Sequence, residues 1–215
     1  GNQNGTVVTF EGGQDSTAVL TGFSITNGNG YLGGGINCIY SNPNIKNVSI
    51  YDNTSLTNGG GVRCYASNPT LTNISISENT ANSKGGGIYF VFCSNPSLEN
   101  IEISNNTTPS DGGGIMCYGS NPTLTNVVIS DNMALYGGGF YCSNISNPTL
   151  INVTISNNNA TQQTGGIYIY DQSTPSLTNC IFWNNMTDEI YFNNPDDGST
   201  ISIEYSVIQG SWEGE

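Results

Sequence analysis

The sequence predicts an all-β fold: a parallel β-helix of about eight coils with 26 or 27 residues in each. Three observations carry that reading. Prolines recur as Pro43, Pro69, Pro96, Pro122, Pro148 and Pro175, at spacings of 26, 27, 26, 26 and 27. Two further markers keep the same register: the last glycine of each cluster (Gly35, Gly61, Gly87, Gly114, Gly139, Gly166) and a closing asparagine (Asn53, Asn79, Asn106, Asn132, Asn158, Asn185). Between the markers, apolar residues alternate in short runs, as in Val62-Arg63-Cys64 and Ile74-Ser75-Ile76. That is strand periodicity, and no stretch carries a sustained helical stripe. An apolar residue two after each proline extends the series to both ends, from Leu20 through Ile45, Leu71, Leu98, Leu124, Leu150 and Leu177 to Ile203.

The elements of one unit follow in order from Gly59 to Asn79. Gly59, Gly60 and Gly61 make a sharp bend with positive φ, where side chains would collide between coils. A short strand follows at Val62–Tyr65. Asn68-Pro69 turns the second corner, because proline fixes φ. A longer alternating run over 70–77 gives the next strand. Asn79 turns the third corner, its inward amide bonding its equivalents in the coils above and below. Such a unit cannot bury its own apolar face, whereas stacked on identical units at about 4.8 Å it can.

Composition narrows the function classes. Lys46, Arg63 and Lys84 are the whole basic inventory against 16 acids, a net charge of −13. That balance repels phosphate backbones and anionic lipid, so neither nucleic acid nor a membrane surface is an expected partner. No apolar run approaches the roughly 18 residues of a membrane-spanning helix. Abundant Asn, Ser, Thr and Gly resemble a disordered composition, but the 35% of apolar residues recur at fixed places, which disorder would not require. Residues 1–215 read as one β-helix domain. Its mid-pattern start at Gly1 suggests a piece of a longer protein.

Cys38, Cys64, Cys117 and Cys142 share one inward position with Phe90 and Ile169, which makes them small core residues. Cys38/Cys64 and Cys117/Cys142 lie in adjacent coils, so disulfides are the alternative. Cys180 replaces Val and Ile and belongs in the core. Cys93, in the turn before Ser94-Asn95-Pro96, is the expected exposed thiol. The outward ladders are rich in tyrosine. One reads Asn37, Arg63, Tyr89, Met116, Tyr141, Tyr168 and its neighbour Ile39, Tyr65, Val91, Tyr118, Ser143, Tyr170. Tyr65, Tyr89, Tyr118, Tyr141, Tyr168 and Tyr170 form an aromatic face suited to sugar stacking or to another protein surface, unless a flanking loop covers it. Asp52, Glu78 and Asp131 precede closing asparagines along one edge. Acid stacked on acid needs solvent or a hard cation such as Ca²⁺, so these three are the candidate metal ligands.

"GGGI" followed by "ISxN", with one "FWNN" at Phe182 to Asn185, resembles the glycine-rich and FxxN repeats of chlamydial polymorphic outer-membrane proteins. More broadly the chain is similar to right-handed parallel β-helix repeat proteins of the pectate-lyase-like superfamily, from about Val7 to Gly210. The resemblance implies the right hand of the helix, secretion or surface display, and roles in adhesion, anchoring or glycan handling. The departures are GGG in place of GGA and Ile where those repeats have mostly Phe.

Enzymes of the superfamily use Ca²⁺ held by clustered aspartates with an Arg or Lys base, or converging aspartates with basic clamps. This chain has no histidine, and Arg63 is its only arginine, with no acid cluster at neighbouring ladder positions. Asp52 with Glu78 is the one tempting acid pair. The expected function is therefore a non-catalytic surface or secreted module: an adhesin, a glycan binder, a stalk, or a filament subunit joined end to end. A polysaccharide-acting enzyme is the alternative.

Overall fold

The computed structural model describes residues 5–210, which form one stack of parallel coils. An eight-stranded sheet of short strands runs from Val8–Glu11 to Ile190–Phe192, one strand for each coil. A second, twelve-stranded sheet carries the longest strands, Asn44–Tyr51, Thr70–Ser77, Ser97–Ser104 and Thr123–Ser130. Two small sheets, one including Thr54–Ser55 and Thr80–Ala81, close the third side. Successive coils pair in register, so Ile88–Val91 lies between Val62–Tyr65 and Ile115–Tyr118. The one helical element among the described residues is a 3-10 turn at Pro195–Asp197.

Each strand places alternate residues in the lumen, where Val62, Cys64, Leu71, Ile74 and Ile76 are all buried. Leu71 and Ile74 are three apart, which simple alternation forbids. Asn73, at φ 54°, resets the phase, and Asn47, Asn100, Asn126, Asn152 and Asn179 do the same in their coils. Asparagine tolerates this left-handed conformation better than most residues. The side chains of these asparagines form a ladder on the outside, Asn73 Nδ2 donating to Asn47 Oδ1 at 3.2 Å and Asn100 Nδ2 to Asn73 Oδ1 at 3.2 Å.

The glycine cluster divides its work. Gly59 has φ +70° and makes the left-handed bend, but Gly61 does not share that conformation. A Cβ on Gly61 would lie 2.8 Å from the Gly87 carbonyl oxygen of the next coil. The expectation of positive φ for the whole cluster is corrected to its first member. The third member, at Gly35, Gly61, Gly87, Gly114 and Gly139, is glycine because coils approach too closely for a side chain.

The inner asparagines stand as expected, buried and bonded upward. Nδ2 of Asn53, Asn79, Asn106, Asn132 and Asn158 donates to Oδ1 of the next asparagine, ending at Asn185, at 2.9–3.0 Å. The backbone N–H of Gly28 donates to Asn53 Oδ1 and starts the ladder. A buried serine ladder runs parallel to it. Ser67, Ser120, Ser146, Ser173 and Ser199 each accept at Oγ from a backbone N–H of the preceding coil.

Cys93 is a correction. It is fully buried, and its N–H donates to Ser120 Oγ at 3.0 Å, so it occupies a rung of the serine ladder. The coil from Pro69 to Pro96 has 27 residues. Its extra residue is Ser94, left exposed at the corner, and this shifts Cys93 into the inward place. All six cysteines are buried free thiols, Cys38 beside Cys64 and Cys117 beside Cys142 in register. Burial pushes the thiols of Cys117 and Cys142 well up, and a hydrogen bond with Cys38, together with burial, raises that of Cys64. In the two end coils of the described residues the lumen side chains are less covered. Val8, Phe10 and Leu20 are half-buried at one, and Phe192, Ile203 and Ile208 at the other.

Candidate functional site

Asn37, Arg63, Tyr89, Met116, Tyr141 and Tyr168 do point away from the lumen, each register-paired with the next. Pointing outward does not leave them open. Tyr89 and Tyr141 are 9% exposed and Tyr168 5%. The Tyr141 and Tyr168 rings stack at 4.6 Å between centroids, with planes 7° apart. Tyr136 and Tyr191 close on Tyr168 from either side at 5.6 and 5.3 Å, and the Tyr168 hydroxyl donates to Asn193 Oδ1. Burial pushes the Tyr89 phenol up to about 12, and those of Tyr141 and Tyr168 up as well. The expectation of an open stacking face is corrected for these three. They form a second apolar layer outside the lumen: Tyr141 and Tyr168 cover one another one coil apart, and Tyr89 lies between Arg63 and Met116.

The exposed aromatic surface lies one step further round the coil. Tyr65 and Tyr118, half-buried at the ends of their strands, alternate with Tyr40 and Phe92, which are 61% and 50% exposed. Centroids follow one another along the axis at 5.3 Å (Tyr40–Tyr65), 6.2 Å (Tyr65–Phe92) and 5.5 Å (Phe92–Tyr118), every pair edge to face. Tyr40 and Phe92 sit at left-handed corner positions (φ 49° and 55°) that Ala66 and Gly119 hold in the intervening coils. A hydrogen bond with Tyr65 raises the Tyr40 phenol. Sequence reasoning included Tyr65 and Tyr118 but missed Tyr40 and Phe92. Tyr170 is exposed in a later coil, outside this row.

Arg63 lies against the strip. Its Nη1 donates to Asn37 Oδ1 at 3.1 Å, and its guanidinium carbon is 5.3 Å from the Tyr65 ring centroid. Its Nε is buried and meets no acceptor among the described residues, and desolvation lowers its pKa. The one ion pair among the described residues is Lys84 with Asp111, at 2.9 Å.

Asp52, Glu78 and Asp131 are exposed and share one row, but they do not assemble. Among the described residues, no group of three His, Cys, Asp or Glu is placed to hold a metal ion. Asn105 interrupts the row between Glu78 and Asp131. Each of the three acids carries a left-handed corner (φ 52°, 56° and 57°), which accounts for the Asp and Asn found there without a cation. The three candidate ligands are therefore not brought together as one group in the described residues. The acidic turn over 193–199 is likewise structural: Asp197 accepts backbone N–H bonds from Ser199 (2.8 Å) and Asp171 (2.7 Å). Partial burial opposes its ionisation, but these bonds outweigh it and hold the carboxyl low.

Hollows among the described residues include the following. A cavity of about 670 Å³ near the first coils is lined by Thr6, Tyr31, Leu32, Asn37 and Leu56, among others. One of about 380 Å³ lies at the C-terminal end around Glu189, and one of about 260 Å³ borders Asp52. None brings together a carboxylate pair and a cation.

Neither the curated proteins nor the solved structures yield a match to the chain. Residues 13–151 and 135–211 match the family described as "Right handed beta helix region". The two matches span most of the sequence and coincide with the stacked coils, so the chain belongs to the right-handed β-helix family.

Proposed function

We propose that this chain is a non-catalytic, secreted or surface-displayed β-helix module that binds glycans on the outside of a rigid rod. The observation that carries the reading is the aromatic row Tyr40–Tyr65–Phe92–Tyr118, held at one-coil steps by strands and corners that cannot shift without breaking the ladders. Aromatic rings half open to solvent offer apolar faces to pyranose rings. The lack of histidine, the engagement of Arg63 with Asn37 and the separation of Asp52, Glu78 and Asp131 into single corners favour binding over catalysis. A broad glycan array with the intact chain tests this. Retention on at least one glycan class is expected, and none across the panel would overturn it.

A second reading, a stalk or filament subunit stacking end to end, is favoured by the half-buried lumen residues at both ends. Strand edges at the ends of a coil stack, where nothing covers them, invite another chain. Repulsion between chains of charge −13 opposes it and weakens as salt rises. Light scattering over a salt series should show growing particles, and a strict monomer throughout would sink it.

A further inference from the structure

The aromatic strip has a companion row. Two or three residues after each aromatic position stands an asparagine: Asn42 after Tyr40, Asn68 after Tyr65, Asn95 after Phe92 and Asn121 after Tyr118. The Oδ1 atoms of Asn42, Asn68 and Asn121 accept backbone N–H bonds from the next coil at 2.7–2.8 Å. That fixes the plane of each amide through its oxygen. Their Nδ2 groups donate to nothing among the described residues and lie on a half-buried to exposed corner. The same edge of the rod therefore presents ring faces and amide donors, both repeating at the coil spacing of about 4.8 Å.

Charge discriminates among the glycans such an edge can take. Of the three basic residues, Lys84 is paired with Asp111, and Lys46 is half-buried in the second sheet, four residues past Asn42. Arg63 is 9% exposed, bonded to Asn37 and set against the Tyr65 ring. The one cation set against the strip is thus buried, and the chain as a whole repels anions. An acidic polysaccharide would bring carboxylates to an edge whose one cation, Arg63, is buried behind the Tyr65 ring and already bonded to Asn37. A neutral one loses nothing there, since its hydroxyls accept from the amides while its ring faces meet Tyr40 and Phe92.

We infer that the strip binds a neutral, extended polysaccharide lying parallel to the rod axis, an inference that rests on the glycan-binding reading above. The chain is gripped by the exposed rings of Tyr40 and Phe92, two coils apart, and by the donor row of Asn42, Asn68 and Asn121. The footprint from Tyr40 to Tyr118 covers three coil steps, about 14 Å, so short oligosaccharides bind more weakly than those long enough to span it. Arg63 is a positioning residue that holds the Tyr65 ring.

Affinity electrophoresis of the intact chain in gels containing glucan, mannan or xylan, against gels containing polygalacturonate or alginate, decides the matter. Retardation is expected in at least one neutral gel, unchanged between low and physiological salt, with none in the acidic gels. Tyr40→Ala with Phe92→Ala should weaken it at least tenfold. Asn68→Asp, which keeps the ladder acceptor and removes the donor, should weaken it severalfold at an unchanged melting temperature. Retardation by acidic gels alone would overturn the neutral assignment while leaving glycan binding intact. Neutral binding that survives the double substitution would overturn the strip as its site. No retardation in any gel would overturn both.

Discussion

The Asn185 side-chain amide donates to the Glu189 carboxylate, and the Asn185 backbone N–H donates to the same group at 3.2 Å; there the inner asparagine ladder ends. One carboxylate supplies the acceptors that the next coil's asparagine would have given. It does so from a buried place, and desolvation raises its pKa above the usual glutamate value against the pull of the Asn185 bonds. A carboxyl raised in the folded state binds its proton more readily there than in the unfolded chain, so its contribution improves as pH falls toward its unfolded value. Wild type should therefore gain stability relative to Glu189→Gln as pH drops from neutral toward 5, by a few degrees at most in melting temperature. A difference that stays constant with pH would refute this.

The two asparagine ladders should respond very differently to substitution. Asn106 donates to Asn132 Oδ1, Ile76 O and Ser104 O and accepts from Asn79, all in the buried interior. Asn106→Ala strands several of those groups and should cost about 3 kcal/mol or more. Asn100, on the exposed ladder, contributes two solvent-exposed bonds, donating to Asn73 and accepting from Asn126, and a left-handed φ of 54°. Asn100→Gly keeps that conformation and should cost under about 1 kcal/mol. Urea titration of the two variants checks the contrast.

How much of this was legible in the sequence depended on whether position alone fixed the outcome. The inner ladder was readable because one residue type recurs in one register, and only stacking explains a buried amide in every coil. Cys93 was not, because counting from proline assigns Ser94 to the inward rung, and a single inserted residue reverses the side chains around it. Alternation placed Tyr141 and Tyr168 on the outside correctly, yet their exposure depends on stacking across coils, which no single repeat contains. Tyr40 and Phe92 escaped notice because Ala66 and Gly119 share their corner, so no aromatic series appears at that position.

Cys93→Ser restores the residue that its rung holds elsewhere and should change stability by less than about 1 kcal/mol. In the native state, none of the six thiols should react with an aromatic disulfide reagent, since all are buried. All six should react once the chain is unfolded without a reductant. Fewer than six would reveal a cross-coil disulfide and contradict the free thiols.

Tyr141→Ala and Tyr168→Ala should each lower stability by about 3 kcal/mol, as loss of a buried ring does, whereas Tyr40→Ala should cost far less. The same burial makes alkaline pH destabilising. The phenols of Tyr89, Tyr141 and Tyr168 are raised in the folded state, so the stability they lend is present below the ordinary tyrosine pKa and lost as pH climbs above it. Absorbance titration should show these three ionising only together with unfolding. Their smooth titration in a folded chain would contradict the buried layer.

Gly87→Ala would place a methyl group 2.6 Å from the Gly114 carbonyl oxygen and should cost about 3 kcal/mol or more. Gly12→Ala meets nothing within 4 Å and pays only for its positive φ, about 1 kcal/mol. Thermal melts of the pair separate crowding from backbone strain, and equal losses would show that the close approach of coils is not the cause.

The cross-coil bonds join residues at a nearly constant distance along the chain, Asn53 to Asn79 at 26 residues and Asn79 to Asn106 at 27. Lengthening the rod by further coils would leave that separation unchanged while the chain grows, so relative contact order falls with each addition. Folding then becomes a matter of laying one coil on a finished template, closing the same loop each time. The kinetic cost of size that limits most β proteins is, in this architecture, met once and not again.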